Sequence, residues 1–162
     1  MQRARCDIRE EPVRYEIRDP DFEARVRESF ERQRFMATLG ATLERVAPGE
    51  VTMAFMHRDG LTQQHGFLHA GVMTSIADSA CGYAALSLME PGLGVLSVEF
   101  KVNMLAPAVG ERFVATGRVV RSGRTLTVCA GEVTAERDGE RIPLLLMQAT
   151  MMAVRGRAGI AD

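Results

Sequence analysis

Residues 69 to 89 read HAGVMTSIADSACGYAALSLM, running from His69 to Met89. Alanine, methionine and leucine dominate this stretch, and a length near twenty residues favours a helix over a strand. Asp78 is its single formal charge. A helix that is apolar on nearly every face is one surrounded by protein. Glycine, serine, threonine and the aspartate dilute it too far for a bilayer span. The rest of the chain must therefore supply something that wraps it.

Downstream, Pro91-Gly92 ends the helix, and four strand-like segments follow at 95–104, 112–122, 125–137 and 142–154. In the first, Val98, Phe100, Val102 and Met104 alternate with Ser97, Glu99, Lys101 and Asn103, the pattern of a sheet with one apolar and one polar face. Ser122-Gly123 and Asp138-Gly139 supply short turns. In the third segment Leu126, Val128 and Ala130 share one phase while Val133 and Ala135 take the other, which predicts a bulge at Gly131-Glu132.

Upstream, a polar loop beginning at Asp59-Gly60 separates the long helix from two strands, 41–47 and 51–57, joined through Pro48-Gly49. Before them comes a helix start: Asp19 as N-cap, Pro20 at the first helical position and Asp21 near the positive dipole end. Phe22, Val26 and Phe30 line one face, and this amphipathic helix should end before Gly40. The first 34 residues hold nine arginines and nine acidic residues. Residues 1–18 show no clean periodicity and read as an arm.

The order is helix, two strands, one long apolar helix, then four antiparallel strands. One sheet face must be covered, and the apolar helix is the element able to do it. The expected fold is α+β: a long central helix wrapped by a curved antiparallel sheet, the hotdog arrangement, plus an N-terminal helix. The expected division is a charged arm and helix at 1–34, the hotdog domain at 35–155 and a tail at 156–162.

A chain of 162 residues, 46% hydrophobic and 25% charged, fits one domain with its own core. Its net charge of −1 favours neither nucleic acid nor an anionic membrane. Cys6, Cys81 and Cys129 are odd in number and widely spaced, which argues against a disulfide framework or zinc site. Residues 1–7 lack the apolar segment of a secretory signal, so a cytoplasmic location is expected.

A carboxylate inside an apolar helix is costly unless it is paired, hydrogen-bonded or protonated. Asp78 is therefore either a structural acid tied to neighbouring polar groups or a reactive one held at a cleft or interface. Just upstream lies Gln63-Gln64-His65-Gly66-Phe67-Leu68-His69-Ala70-Gly71. The small residues at 70 and 71 leave the first backbone N–H groups of the helix open, at its positive end. They could bind an oxyanion, or could simply permit close packing. All three histidines, His57, His65 and His69, fall within thirteen residues, but they lack clear ligand partners and no metal is expected. His69 is better read as orienting the loop. There is no GxSxG nucleophile elbow.

The stretch from Gln63 to Tyr83, with residues 95–107 and Arg121-Ser122-Gly123-Arg124-Thr125, resembles the PaaI-type acyl-CoA thioesterases of the hotdog superfamily. The family pattern is a polar Asn or Gln, then HG-x-x-HGG, then an acid in the following helix. Here it reads as Gln63, His65-Gly66, His69-Ala70-Gly71 and Asp78. The resemblance runs from about residue 35 to residue 154, with Ala70 where most members have glycine.

That resemblance implies hydrolysis of a small, medium or aromatic acyl-CoA without a cofactor. Asp78 would be the nucleophile or general base, the Ala70 N–H would polarise the thioester carbonyl, and Gln63 would orient the carbonyl or the water. Ser97 matches a position where some members carry a water-positioning hydroxyl. His69, Gly71 and Gly82 would line the substrate, and Arg121 and Arg124 would meet the CoA phosphates. It further implies a homodimer, or a homotetramer, with the acid and the oxyanion donor on different subunits. Two other readings compete: a hotdog acyl-thioester hydratase or dehydratase using His65 or His69, and a non-catalytic acyl-CoA-binding module.

Overall fold

A computed structural model of the chain describes residues 15–137 and 139–160. The arm up to residue 14, Cys6 and the Asp138 half of one expected turn lie outside them. The elements are α1 (Phe22–Arg32), α2 (Arg34–Leu39), β1 (Thr42–Ala47), β2 (Glu50–Met56), α3 (Ala70–Leu86), β3 (Leu93–Met104), β4 (Arg112–Ser122), β5 (Leu126–Arg137) and β6 (Glu140–Arg155). The six strands form one antiparallel sheet in the order β1-β2-β4-β5-β6-β3, curved around α3. This is the hotdog architecture expected from the element order.

The N-terminal helix is broken. Gln33 leaves helical geometry at φ −80° and ψ 88°, which separates α1 from α2. Gly40 then closes α2 in the left-handed conformation, and the Ala41 N–H donates back to the Met36 carbonyl at 2.9 Å. The Asp19 carboxylate accepts from the Asp21 N–H at 3.0 Å and pairs with Arg25 at 3.0 Å. Arg25 also donates to the carbonyls of Leu86, Met89 and Glu90 at 3.1, 2.7 and 2.8 Å. A cation placed on the final carbonyl of α3 and on two carbonyls just beyond it offsets the helix's negative dipole end and fastens α1 across it.

Ile76, Ala77, Ala80, Cys81 and Ala84 of α3 are fully buried against the sheet. Two glycines make this approach possible. Gly117 of β4 and Gly131 of β5 are register partners, side by side beneath the helix. A Cβ on Gly117 would fall 2.3–2.4 Å from backbone atoms of Ala80 and Cys81, and one on Gly131 would fall 2.9 Å from the Cys81 Sγ.

Three sequence expectations need correction. α1 starts at Phe22 with Asp21 as its N-cap residue, so Asp19 and Pro20 precede the helix. β5 has no bulge at Gly131-Glu132: both residues pair in continuous register, and Thr127, Cys129, Gly131, Val133 and Ala135 face inward without interruption. The small residues Thr127 and Gly131 hold helix-facing positions, while Leu126 and Val128 lie on the outer phase and mimicked a slip. The extra residues are Glu44, Val98, Val120 and Leu144, each at a break in register with the neighbouring strand. The apolar row of β3 is also uncovered by its own chain. Val98, Phe100 and Met104 are 53%, 47% and 42% exposed, because β3 is the sheet edge beyond β6 and a single helix does not reach across it.

Gly117→Ala tests the seating of α3. Backbone atoms of the helix cannot rotate away as a side chain would, so the variant should lose about 3 kcal/mol, the upper part of the overpacking range, or fail to fold. Urea denaturation measures this, and parental stability would show that α3 is not held against β4 at this point.

Candidate active site

α3 is not buried all round. Gly71, Thr74, Ser75, Asp78 and Gly82 recur at helical spacing and form a stripe that the sheet leaves uncovered. Asp78 faces β3, where the Ser97 hydroxyl donates to its Oδ1 at 2.7 Å. The two sit in a concavity of about 280 Å³ with Gly82, Tyr83, Val95 and Met151. Ser29, Arg32 and Gln33 close it from the N-terminal helices. Burial pushes the Asp78 carboxyl above its ordinary range, and the Ser97 hydrogen bond pulls partly the other way.

The start of α3 forms a separate group. His69 is the N-cap, and its Nδ1 accepts from the Gly71 N–H at 2.9 Å. Of the two backbone donors expected to be open, Gly71's is engaged in this cap, while Ala70's has no partner among the described residues. Gln63 lies in the preceding turn: its Oε1 accepts from the His65 N–H, and its backbone N–H donates to the Phe67 carbonyl at 2.8 Å. Ala70 and Asp78 are eight residues apart on one continuous helix, about 12 Å along its axis. One protomer therefore brings together Asp78, Ser97 and Gly82, and keeps Gln63, His69, Ala70 and Gly71 away from them.

Arg124 lines a third feature, a cleft of about 290 Å³ that also holds Arg18, Leu93 and Arg155. Arg155 pairs with Glu90 at 2.6 Å. Arg121, which follows the Val120 bulge and pairs across to Val128, is not part of its lining. Arg18, Arg155, Gln33 and Tyr83 were not singled out from the sequence. Arg18 and Gln33 sit among charged residues that read as solvated, Arg155 follows the end of the last expected strand, and Tyr83 sits in a helix read as core. Cys81 and Cys129 are buried free thiols, and the Cys81 thiol is pushed up by its hydrogen bond to Cys129 and by burial. Neither is placed to act as a nucleophile.

Residues 65–142 match the thioesterase superfamily. Human acyl-coenzyme A thioesterase 13 is 30% identical over 102 residues, covering 62% of this chain and 72% of that protein. A crystal structure of a thioesterase family protein from Silicibacter pomeroyi shares 53% identity with a TM-score of 0.82, covering 83% of this chain and 99% of that one. The chain belongs to the thioesterase superfamily. The PaaI protein of the Escherichia coli phenylacetic acid degradation operon has the same fold, with a TM-score of 0.76 at 19% identity over 84% of this chain and 95% of that one.

This thioesterase is a thioester hydrolase, with acyl-CoA thioesterase activity supported for its family. The superfamily match leaves out α1 and α2, so the wall they add to the Asp78 concavity lies beyond the matched residues. A half-buried carboxylate beside a hydroxyl can take a proton from water or attack an electrophilic carbon, in either case only when ionised. Removing the Ser97 hydroxyl deletes the contact that lowers the Asp78 pKa and leaves burial unopposed. Ser97→Ala should therefore move the acid limb of the kcat/KM profile of this thioesterase to higher pH. A pH-rate profile checks this, and an unmoved acid limb would separate Ser97 from the ionisation that controls the rate.

Proposed function

We propose that the enzyme hydrolyses CoA thioesters of small acyl groups in a site composed from two copies of the chain. Asp78 and Ser97 come from one protomer, and Gln63 and the Ala70 N–H from the other. The observation that carries the reading is the Asp78–Ser97 pair, a carboxylate raised by burial and held in a concavity between α3 and the edge strand. Asp78 acts on the thioester carbon directly or through a water whose proton it accepts. The negative charge that develops on the carbonyl oxygen meets the open N–H at the positive end of the partner's α3. Collapse of the tetrahedral species then expels the CoA thiolate, which on the water route takes the proton Asp78 accepted. On the direct route it takes a proton from solvent, and a water cleaves the acyl–Asp78 anhydride to release the acid and restore the carboxylate.

Two features support the composite site. The 17-residue helix α3 holds its N-terminal donor and Asp78 too far apart to serve one carbonyl. The exposed row of Phe100 and Met104 on an unpaired edge strand is the kind of surface that a second copy covers. A concavity of about 280 Å³ lies at the small end for ligand sites, which favours a compact acyl group. Arg18, Arg124 and Arg155 line one cleft, a set of guanidinium groups suited to the CoA phosphates. No helix among the described residues is long and apolar enough to cross a membrane, and we assign the enzyme to the cytoplasm with its CoA substrate.

Asp78→Asn should lower turnover at least ~10²-fold with substrate affinity largely kept. A carboxyl whose pKa is raised on folding contributes stability below its unfolded pKa, and that contribution is lost as pH rises through the folded value. At neutral pH the asparagine variant should therefore melt no lower than the parent. A folded Asp78→Asn enzyme with parental turnover would sink the mechanism. Co-refolding Asp78→Asn with Gln63→Ala should recover activity, since a mixed dimer contains one intact site; no recovery from two folded inactive variants would argue for a site within one chain.

Arg124→Ala should raise KM for CoA esters and leave N-acetylcysteamine thioesters nearly unaffected. Equal losses on both substrates would remove Arg124 from phosphate recognition.

A further inference from the structure

We propose that Gln33 is a specificity-determining residue that reads a neutral hydroxyl on the acyl group. The preferred substrates are then acyl-CoAs bearing such an oxygen about one helical turn beyond the thioester. This inference rests on the assignment of Asp78 as the reacting carboxylate.

Gln33 stands at a rigid corner. Its backbone N–H donates to the Phe30 carbonyl at 3.0 Å, ending α1, and its own carbonyl accepts from the Met36 N–H at 3.0 Å, opening α2. Leaving helical geometry there turns the side chain onto α3. Its Nε2 lies 3.4 Å from the Ser79 Oγ, and its Oε1 accepts from the Tyr83 hydroxyl at 3.3 Å. A primary amide has two N–H donors and two acceptor lone pairs. One of each is used by these contacts, and the second N–H and second lone pair have no partner among the described residues. The amide lines the same concavity as Asp78.

The path between the two groups is open. Gly82 lines the same concavity next to Tyr83, which the amide touches, and a Cβ built on it meets nothing within 4 Å. From Asp78 to Gly82 is one turn of α3, about 6 Å, roughly the span of a five-carbon chain. Val95 and Met151 give this path apolar sides. An acyl chain leaving the thioester at Asp78 would pass over Gly82 and meet the amide at its end. An apolar terminus would strip water from the amide and return no hydrogen bond, whereas a hydroxyl can donate to the oxygen and accept from the nitrogen. A terminal carboxylate would place a second negative charge one turn from Asp78. Arg32 also lines the concavity, so a carboxylated substrate is the comparison that separates amide recognition from guanidinium recognition.

The test is kcat/KM on hexanoyl-CoA, 6-hydroxyhexanoyl-CoA and adipoyl-CoA for the parent, Gln33→Leu and Tyr83→Phe. The parent should favour the hydroxylated substrate by ~10-fold or more, chiefly through KM. Gln33→Leu should bring that ratio close to one. Tyr83→Phe keeps the ring and removes the hydrogen bond that aims the amide, so it should lower the ratio even if the leucine variant folds poorly. The inference is overturned if the parent prefers hexanoyl-CoA or does not discriminate. It is equally overturned if adipoyl-CoA is the best substrate, or if the ratio survives in a folded variant. Asp78→Asn on the same panel tells apart failure of the underlying mechanism, because full turnover there would overturn Asp78 whatever the ratios.

Discussion

The close approach of α3 to the paired glycines of β4 and β5 is the contact on which the rest of the molecule depends. Gly117 and Gly131 face each other across the ladder, and the Ala77–Cys81 turn rests on them, its backbone against Gly117 and its Ala77 and Cys81 side chains against Gly131. Small residues on both sides let the helix sink into the sheet, so the sheet must curve to reach its flanks. The extra residues at 44, 98, 120 and 144 mark register breaks where strands can bend. A helix seated this deeply is covered along most of its circumference. What remains is the narrow stripe of Gly71, Thr74, Ser75, Asp78 and Gly82.

That stripe decides where polar chemistry can occur. Asp78 stays half-buried because β3 passes close enough for Ser97 to hydrogen-bond it, yet the edge of the sheet leaves a concavity beside the pair. Burial raises the proton affinity of the carboxyl, and Ser97 moderates the effect. Such a group is poised for proton transfer more than for stability, a compromise common where function requires a charge in an apolar setting. The same edge strand carries exposed Phe100 and Met104, so the polar site and the uncovered apolar surface adjoin each other.

The N-terminal helices have a larger part than their charged composition suggested. Arg25 ties α1 to carbonyls at and just beyond the end of α3, and Gln33 brings an amide to the concavity. The first 34 residues hold nine arginines and nine acidic residues, which in a linear reading describes a solvated segment. An arginine that caps a helix sixty residues away leaves no local pattern, and neither does a glutamine that breaks a helix. Their roles arise only once α3 is in place to receive them.

The order of elements and the burial of α3 were legible in the sequence because they follow from local periodicity and from the need to cover one long apolar helix. Asp78 stood out for the same reason, as a lone charge in an apolar run, and the His69-Ala70-Gly71 helix start was readable from side-chain size and capping chemistry. Strand phase was not fully legible: in β5 the inward positions are filled by Thr127 and Gly131, whose type does not announce burial. Nor could periodicity say that the apolar row of β3 lies on an edge, since edge position depends on strand order. The pairing of Asp78 with Ser97, the roughly 12 Å that part Asp78 from the Ala70 donor, and the meeting of Gln33 with Tyr83 were decided by tertiary structure alone. Each is a distance between groups remote in sequence or fixed by the run of a rigid helix, and such distances are set by how the elements pack.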